Sequence, residues 1–323
     1  MIYKVFFTET SKDPNDPYTN KEFLGLWEKK DGYLSDVSYP RIKLPITESD
    51  NIIDILKEAK SYEIYFEDPD PEMNLELVIE ETNLEKGVYY PRIYKTVCSD
   101  DDLSIVTLIG RDKKRIETFD IPVDENILIN SIEQLNTLTE LLNKILRTVF
   151  PSPTNFETFG FDIRNLIILS ATEFEAQITG ILKINEIKPI GKNYRIHDYF
   201  KLNKILRLSD YEIKFSRFPD IPILSPFSIW KNETSFKSLD WYSNYNTVKH
   251  DREDNFHKAR LIDLLNSISA CYVILLAQYG NRPIINETLS NYWQIVKLPQ
   301  FDISEKLLSP IKDEEWIMKK YNC

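Results

Sequence analysis

The stretch FDIRNLIILSATEFEAQITGIL, Phe161–Leu182, decides the fold class. Within it Ile163, Ile167, Phe174, Ile178 and Ile181 recur at steps of three or four residues or their multiples, which sets them on one face of an α-helix. The same period returns toward the C-terminus. His197–Leu206 reads as a shorter helix, Trp241–Val248 as another, and Phe256–Gln278 as a long, nearly all-round apolar helix stopped at Gly280. Pro219, Pro222 and Pro226 mark an irregular connection between them. Toward the N-terminus Ile127–Phe150 is also helical in period, and Pro151-Ser-Pro153 stops it.

Before Asn126 the pattern changes to short β-like runs. Ile2–Phe7, Tyr62–Phe66, Leu75–Glu80, Val88–Val97, Leu103–Ile109 and Ile116–Ile121 are rich in Ile, Val, Tyr, Phe and Thr, and Asp/Asn/Pro clusters such as Asp68-Pro-Asp-Pro separate them. One short helix, Ile52–Ala59, is expected there with Asp50 as its cap. The predicted architecture is α+β. A mostly antiparallel β domain occupies 1–125, a linking helix and hinge 126–153, and an all-α helical bundle with a C-terminal tail 154–323.

The chain has 323 residues, 42% hydrophobic and 12% aromatic, enough for two separate cores. Its three cysteines, Cys98, Cys271 and Cys323, are scattered and odd in number, which argues against a disulfide framework and fits a reducing compartment. The N-terminus MIYKVFFTETSKD does not read as a secretory signal, and the most apolar run, Leu261–Tyr279, contains Asp263 and Asn266 and reads as a buried helix. A cytoplasmic protein with no membrane partner is expected. The net charge of −11 is unevenly spread. Residues 1–150 hold 18 Lys+Arg against 30 Asp+Glu, while 151–323 hold 22 against 21. A globally basic nucleic-acid binder is excluded, but a local basic patch in the second half is not.

The candidate site is Asn246-Thr-Val-Lys249-His250-Asp251-Arg252-Glu253-Asp254-Asn255-Phe256-His257. Two of the three histidines lie in it, with Lys249 and Arg252 beside them. Imidazole is suited to moving protons near neutral pH, and the two cations can hold an anion. On an unbroken helix Asn246, His250, Glu253, His257 and Arg260 would share one side within about 80° of arc. The cluster of Asp and Asn favours instead a break near Asp251–Asp254, with Asp254 capping the next helix. The bland alternative is a solvated charged face with histidines that merely satisfy backbone carbonyls.

Residues ~155–280 resemble the HEPN superfamily of small helical domains. The family pattern, an Arg followed after four to six residues by a His, is matched by Arg252-Glu-Asp-Asn-Phe-His257, and the long helix Phe161–Leu182 with Arg164, Glu173 and Glu175 resembles the family's first helix. The chain departs from the pattern at Glu253, where the family usually has Asn, Asp or His. Tyr245-Asn246-x-x-Lys249-His250 looks like a second polar motif. The resemblance implies metal-independent RNA cleavage in a defence setting, RNA as partner, a homodimer and no cofactor. It casts His250, Arg252, His257, Lys249 and Asn246 as site residues, with Glu173 as a supporting carboxylate and the acidic first domain as a sensor for a regulatory ligand or protein. Family members that keep the fold without cleavage make a non-catalytic binding module the alternative.

Other signatures are weak. With 8 glycines there is no G-x-G-x-x-G, no P-loop and no G-x-S-x-G. Glu212-Ile-Lys214 contains the Glu-x-Lys element of metal-dependent nucleases but reads as strand-surface charge. The run Glu67–Glu72 reads as a solvated turn, and Phe227, Trp230, Trp241, Tyr242 and Tyr245 as core rather than base-stacking groups.

Overall fold

The computed structural model describes residues 2–10, 18–36, 43–58, 75–82, 85–95, 97–98, 121–280, 282–301, 305–308, 310 and 315–322. They form two compact units. One comprises Met1–Val88, Thr96–Arg115 and Phe301–Trp316, the other Tyr89–Lys95, Ile116–Gln300 and Ile317–Cys323. The chain is α+β, as its sequence pattern predicts.

In the first unit β1 (Ile2–Thr10), β2 (Tyr18–Lys30), β3 (Tyr33–Asp36), β4 (Lys43–Pro45) and β5 (Leu75–Thr82) form an antiparallel sheet in the order β4-β3-β2-β1-β5. Lys30 pairs with Tyr33, so Asp31-Gly32 is a two-residue hairpin turn. Both turn residues have positive φ, which Asp-Gly tolerates at small cost. Helix α1 (Ile52–Glu58) precedes β5. Asp50 is not its cap: the carboxylate accepts the Thr47 amide at 2.7 Å and closes the turn before the helix, while Asn51 supplies the first carbonyl. The expected strands Tyr62–Phe66 and Leu103–Ile109, and all but the last residue of Ile116–Ile121, lie outside the described residues, as does the Glu67–Glu72 run.

The expected strand Val88–Val97 does not run straight through. Arg92 takes φ 58°, a bridge joins Tyr90 to Ile93, and the Tyr94 amide bonds the Ala277 carbonyl at 2.9 Å. Tyr89–Lys95 therefore turns into the helical unit and buries Ile93 there. The apolar residues read as one strand are spent on a core far away in sequence.

The helical unit is built on α2 (Glu125–Thr148), α3 (Phe161–Ile184), α6 (Asp240–His250) and α8 (Leu261–Tyr279). Shorter helices α4 (Ile196–Phe200), α5 (Asn203–Leu206), α7 (Arg252–Asn255) and α9 (Glu287–Tyr292) lie between and after them. Strands β6 (Glu212–Phe215) and β7 (Trp293–Lys297) pair antiparallel, so the unit is predominantly rather than wholly helical. On β6, Ile213 and Phe215 are buried and Glu212 and Lys214 alternate outward. The predicted link α2 belongs to this unit. Asp124 caps it by accepting the Asn126 and Ile127 amides, and Leu128, Leu135, Leu138, Leu142 and Leu146 enter the shared core. Pro151–Pro153 turns a corner inside the unit instead of marking its border.

Helix α8 is long and apolar enough to cross a bilayer, but every residue from Ser267 to Tyr279 is buried, which makes it the central core helix. It crosses α3 at small residues. The Ser170 and Ser267 hydroxyls meet at 2.7 Å, Ala171 and Ala270 are fully buried, and the Cys271 thiol donates to the Ser170 carbonyl at 3.1 Å. With one proton on each hydroxyl, one serine donates across the crossing and the other, which accepts it, donates to a carbonyl of its own helix, so both hydroxyls are satisfied. Ser267→Ala is expected to cost under about 1 kcal/mol, since Ser170 keeps its carbonyl partners. Ser267→Leu has no room and is expected to cost about 1–3 kcal/mol or more through overpacking. Urea unfolding of the two variants checks this difference.

Candidate functional site

Helix α6 ends where the sequence puts its cluster of Asp and Asn. The Asp251 amide makes the last helical bond, to Thr247 at 2.9 Å, and Asp251 itself leaves helical geometry at φ −136°, ψ 72°. The break predicted near Asp251–Asp254 is present. Asp254 does not cap the next long helix; it lies within the single turn α7. A 3-10 turn, Phe256–Lys258, follows, so Phe256–Gln278 is not one continuous helix. Arg260 is extended and forms a bridge with Phe159, and α8 starts only at Leu261.

Both ends of this broken segment are pinned. At the first end the Arg164 guanidinium, from α3, donates two hydrogen bonds of 3.2 Å to the Val248 carbonyl. A positive group on a terminal carbonyl satisfies both the orphan acceptor and the helix dipole. At the second end Arg260 clasps Asp263 through two bonds, of 2.8 and 3.1 Å, and reaches Glu157 at 3.1 Å. Asn244 of α6 donates to the same Asp263 carboxylate, tying α6 to α8. The hydrogen bonds to Asp263 and Glu157 hold Arg260 further into the charged range than usual. No side chain caps α8. Its first amides are taken instead by carbonyls of the connection that leads into α3, Leu261 by Thr158 at 2.8 Å and Ile262 by Phe156 at 3.0 Å.

Between the pins the predicted residues stand free. His250, Arg252 and His257 are exposed, and none bonds another described side chain. Phe256 is half-buried between them in sequence, its ring against Phe159 at 5.7 Å and Phe161 at 4.9 Å. Lys249 leans back along α6, donating to the Tyr245 hydroxyl at 2.7 Å with its ammonium 4.9 Å from the ring centre. That hydrogen bond raises its pKa, so it is a fixed cation and not a neutral base. The Asn246 amide donates to the Tyr242 carbonyl one turn back.

The carboxylate that serves this neighbourhood is Glu175. It accepts the Tyr242 hydroxyl at 2.6 Å and the Tyr245 hydroxyl at 3.4 Å, so Lys249, Tyr245, Glu175 and Tyr242 form one continuous chain between α6 and α3. Burial first, then the bond to Glu175, push the Tyr242 phenol far above its ordinary value. Glu173 belongs elsewhere. It accepts Gln177, which accepts Gln278, which in turn accepts the Arg92 guanidinium at 2.6 Å. Two residues along a helix turn the side chain by about 200°, which separates the two glutamates. The remaining histidine, His197, lies on α4 against Phe236 with ring centres 3.9 Å apart.

Sequence reasoning undervalued Arg164, Glu175 and Arg260. The signal for Glu175 was on the other helix: Tyr242, Tyr245 and Lys249 recur at i, i+3 and i+7 and present one polar stripe. The aromatic group Phe227, Trp230, Trp241, Tyr242 and Tyr245 is core, as expected, with no member more than 6% exposed. Comparison of the chain with protein-family models, curated proteins and solved structures finds no match.

Two outcomes test this geometry. Arg164→Ala leaves the Val248 carbonyl without its charged partner and is expected to cost about 1.5–3 kcal/mol. Faster amide exchange should be confined to the segment from Lys249 to Asn255. Alkali gives the second. Tyr242 is raised strongly and Tyr272 is pushed up to about 12 by burial. A raised folded pKa means their contribution is complete below the unfolded value of about 10 and is lost as pH rises through the folded one. Helical circular dichroism should hold to about pH 10 and collapse above it together with the appearance of tyrosinate absorbance.

Proposed function

We propose that this chain is a metal-independent endoribonuclease whose active segment is the break between α6 and α8. The observation that carries the reading is the contrast within that segment. Its ends are fixed by Arg164 and Arg260, while His250, Arg252 and His257 between them are exposed and unpartnered. Histidines that served only the fold would be engaged with carbonyls.

In the proposed reaction one histidine takes the proton of a ribose 2′-hydroxyl. The 2′-oxygen attacks the adjacent phosphorus, the bond to the 5′-oxygen breaks, and the second histidine, protonated, gives that leaving oxygen its proton. The products are a 2′,3′-cyclic phosphate and a 5′-hydroxyl, with no net change in protons. Arg252 and Lys249 meet the charge that grows on the phosphoryl oxygens. Requiring a 2′-hydroxyl, the reaction cuts RNA and spares DNA. Asn246 acts through the backbone of α6, and Glu175 through Tyr245 holds Lys249; both are positioning residues. Glu173 is assigned to the buried chain that reaches Arg92. The HEPN resemblance further suggests a homodimer, a cytoplasmic role in defence, and regulation through the acidic first unit.

The test is incubation of the full chain with total RNA in EDTA. Cleavage should leave cyclic phosphate ends. It should fall about 10²–10⁴-fold in His250→Ala and in His257→Ala and be absent on DNA. A correctly folded chain that cuts no RNA would instead support the non-catalytic binding module, and activity present only with added divalent metal would direct attention to Glu212 and Lys214.

A further inference from the structure

A groove of about 680 Å³ runs between the C-terminal half of α2 and the start of α3. That volume lies in the range of small-ligand sites. Its walls are largely apolar, from Leu141, Ile145, Leu166 and Leu169, with Lys144, Asn165 and the exposed carboxylate of Asp162 on its lining. At its mouth Phe159 and Phe161 are 48% and 68% exposed. With Leu169, 49% exposed on the same lining, they make a cluster of exposed apolar side chains, and contiguous exposed apolar patches mark interaction sites.

Two residues of the groove's lining pack against the candidate segment. Phe161 and Phe159 both touch Phe256, which lies between Arg252 and His257 in the chain. Arg164, one turn after Phe161 on α3, holds the Val248 carbonyl two residues before His250. Phe256 thus links the aromatic residues of the groove to the break that carries Arg252 and His257. A ligand spanning both needs an anionic group for the cations and, one unit away, a flat apolar face with polar edges. A nucleotide within a single strand has these, whereas paired bases in a duplex hide their faces.

We infer that the α2–α3 groove is a nucleobase subsite that stacks an unpaired base of single-stranded RNA on Phe161 and Phe159 while its neighbouring phosphate lies at His250, Arg252 and His257. Lys144 and Asn165 can read the polar edge of the base. This rests on the ribonuclease reading for the choice of RNA, but its own evidence is the groove and the exposed rings.

The experiment uses the full chain carrying His250→Ala/His257→Ala, so that RNA stays intact, in EDTA. The probe is a hexaribonucleotide with one 2-aminopurine. Binding should quench its fluorescence. Phe161→Ala removes an exposed ring, and Gly160→Leu fills the groove from a position where an added Cβ meets nothing within 4 Å. Each should weaken binding about 5- to 100-fold and abolish the quench, with unchanged thermal melts. Equal binding by parent and both variants, equal binding of an oligomer lacking bases, or no binding at all would overturn the inference. RNA cleavage by the chain with native histidines is read in parallel. Cleavage indifferent to Phe161 and Gly160 sinks the groove and spares the ribonuclease, while groove-dependent binding without cleavage does the reverse.

Discussion

The helical unit depends on α3 and α8 lying close enough for two serine hydroxyls to touch. Ser170 and Ser267 allow that approach, Ala171 and Ala270 leave room for it, and the Cys271 thiol adds a weak bond across it. Larger side chains would separate the helices and shift the polar groups α3 carries. Arg164 on the end of α6 and Glu175 on the α6 tyrosines lie eleven residues apart, about 20° around the helix, and so share the side that meets α6, while Gln177, in the chain to Gln278 and Arg92, lies beside Ser170 on the side that meets α8. One close crossing therefore sets three polar connections from two sides of the same helix. The backbone follows the same constraint at Gly180, where an added Cβ would overlap the Arg92 guanidinium, and at Gly280, where it would overlap the Tyr94 ring.

Order at the candidate site is unevenly distributed. Arg164 and Arg260 are engaged with a helix end and with buried Asp263, so their charges are spent on structure. Arg252, His250 and His257 remain in solvent with their hydrogen-bonding capacity unused among the described residues. A chain that commits neighbouring guanidinium groups to its fold and withholds Arg252 and two imidazoles in one short break has the division of labour a binding or catalytic surface needs. Lys249 stands between these groups: anchored through Tyr245 to Glu175, yet with its charge at the surface.

Much of the fold was legible because it is local. The 3.6-residue period located α2, α3, α6 and α8 to within a few residues, and the clustered Asp and Asn located the break at Asp251. The misses share a cause in long-range contact. Val88–Val97 has strand composition, but its Tyr94 amide answers to Ala277, some 180 residues on, and its Ile93 to the helical core, which no window of sequence displays. Phe256–Lys258 parted from α8 because Phe159 pairs with Arg260 and the carbonyls of 156 and 158 replaced a cap. Pro151–Pro153 stopped a helix as read, but whether a corner separates domains depends on where Leu138 and Leu142 pack, not on the prolines. In the candidate site, residue types singled out His250, Arg252 and His257, which lie exposed on the break. Choosing Glu173 over Glu175 failed because both sit on the same helix and only the partners across the interface distinguish them.

The central claim is that two free imidazoles and a guanidinium on one pinned break address a single phosphodiester. The most direct measurement is proton NMR of the three histidines during titration with an uncleavable dinucleotide whose attacking 2′-hydroxyl is replaced by hydrogen. His197, against Phe236 on α4, serves as the internal control. The account predicts that the His250 and His257 ring resonances shift together along one saturation curve, that His197 stays still, and that Arg252→Ala abolishes the response. Resonances of His250 and His257 that ignore the dinucleotide, or move no more than His197, would contradict it.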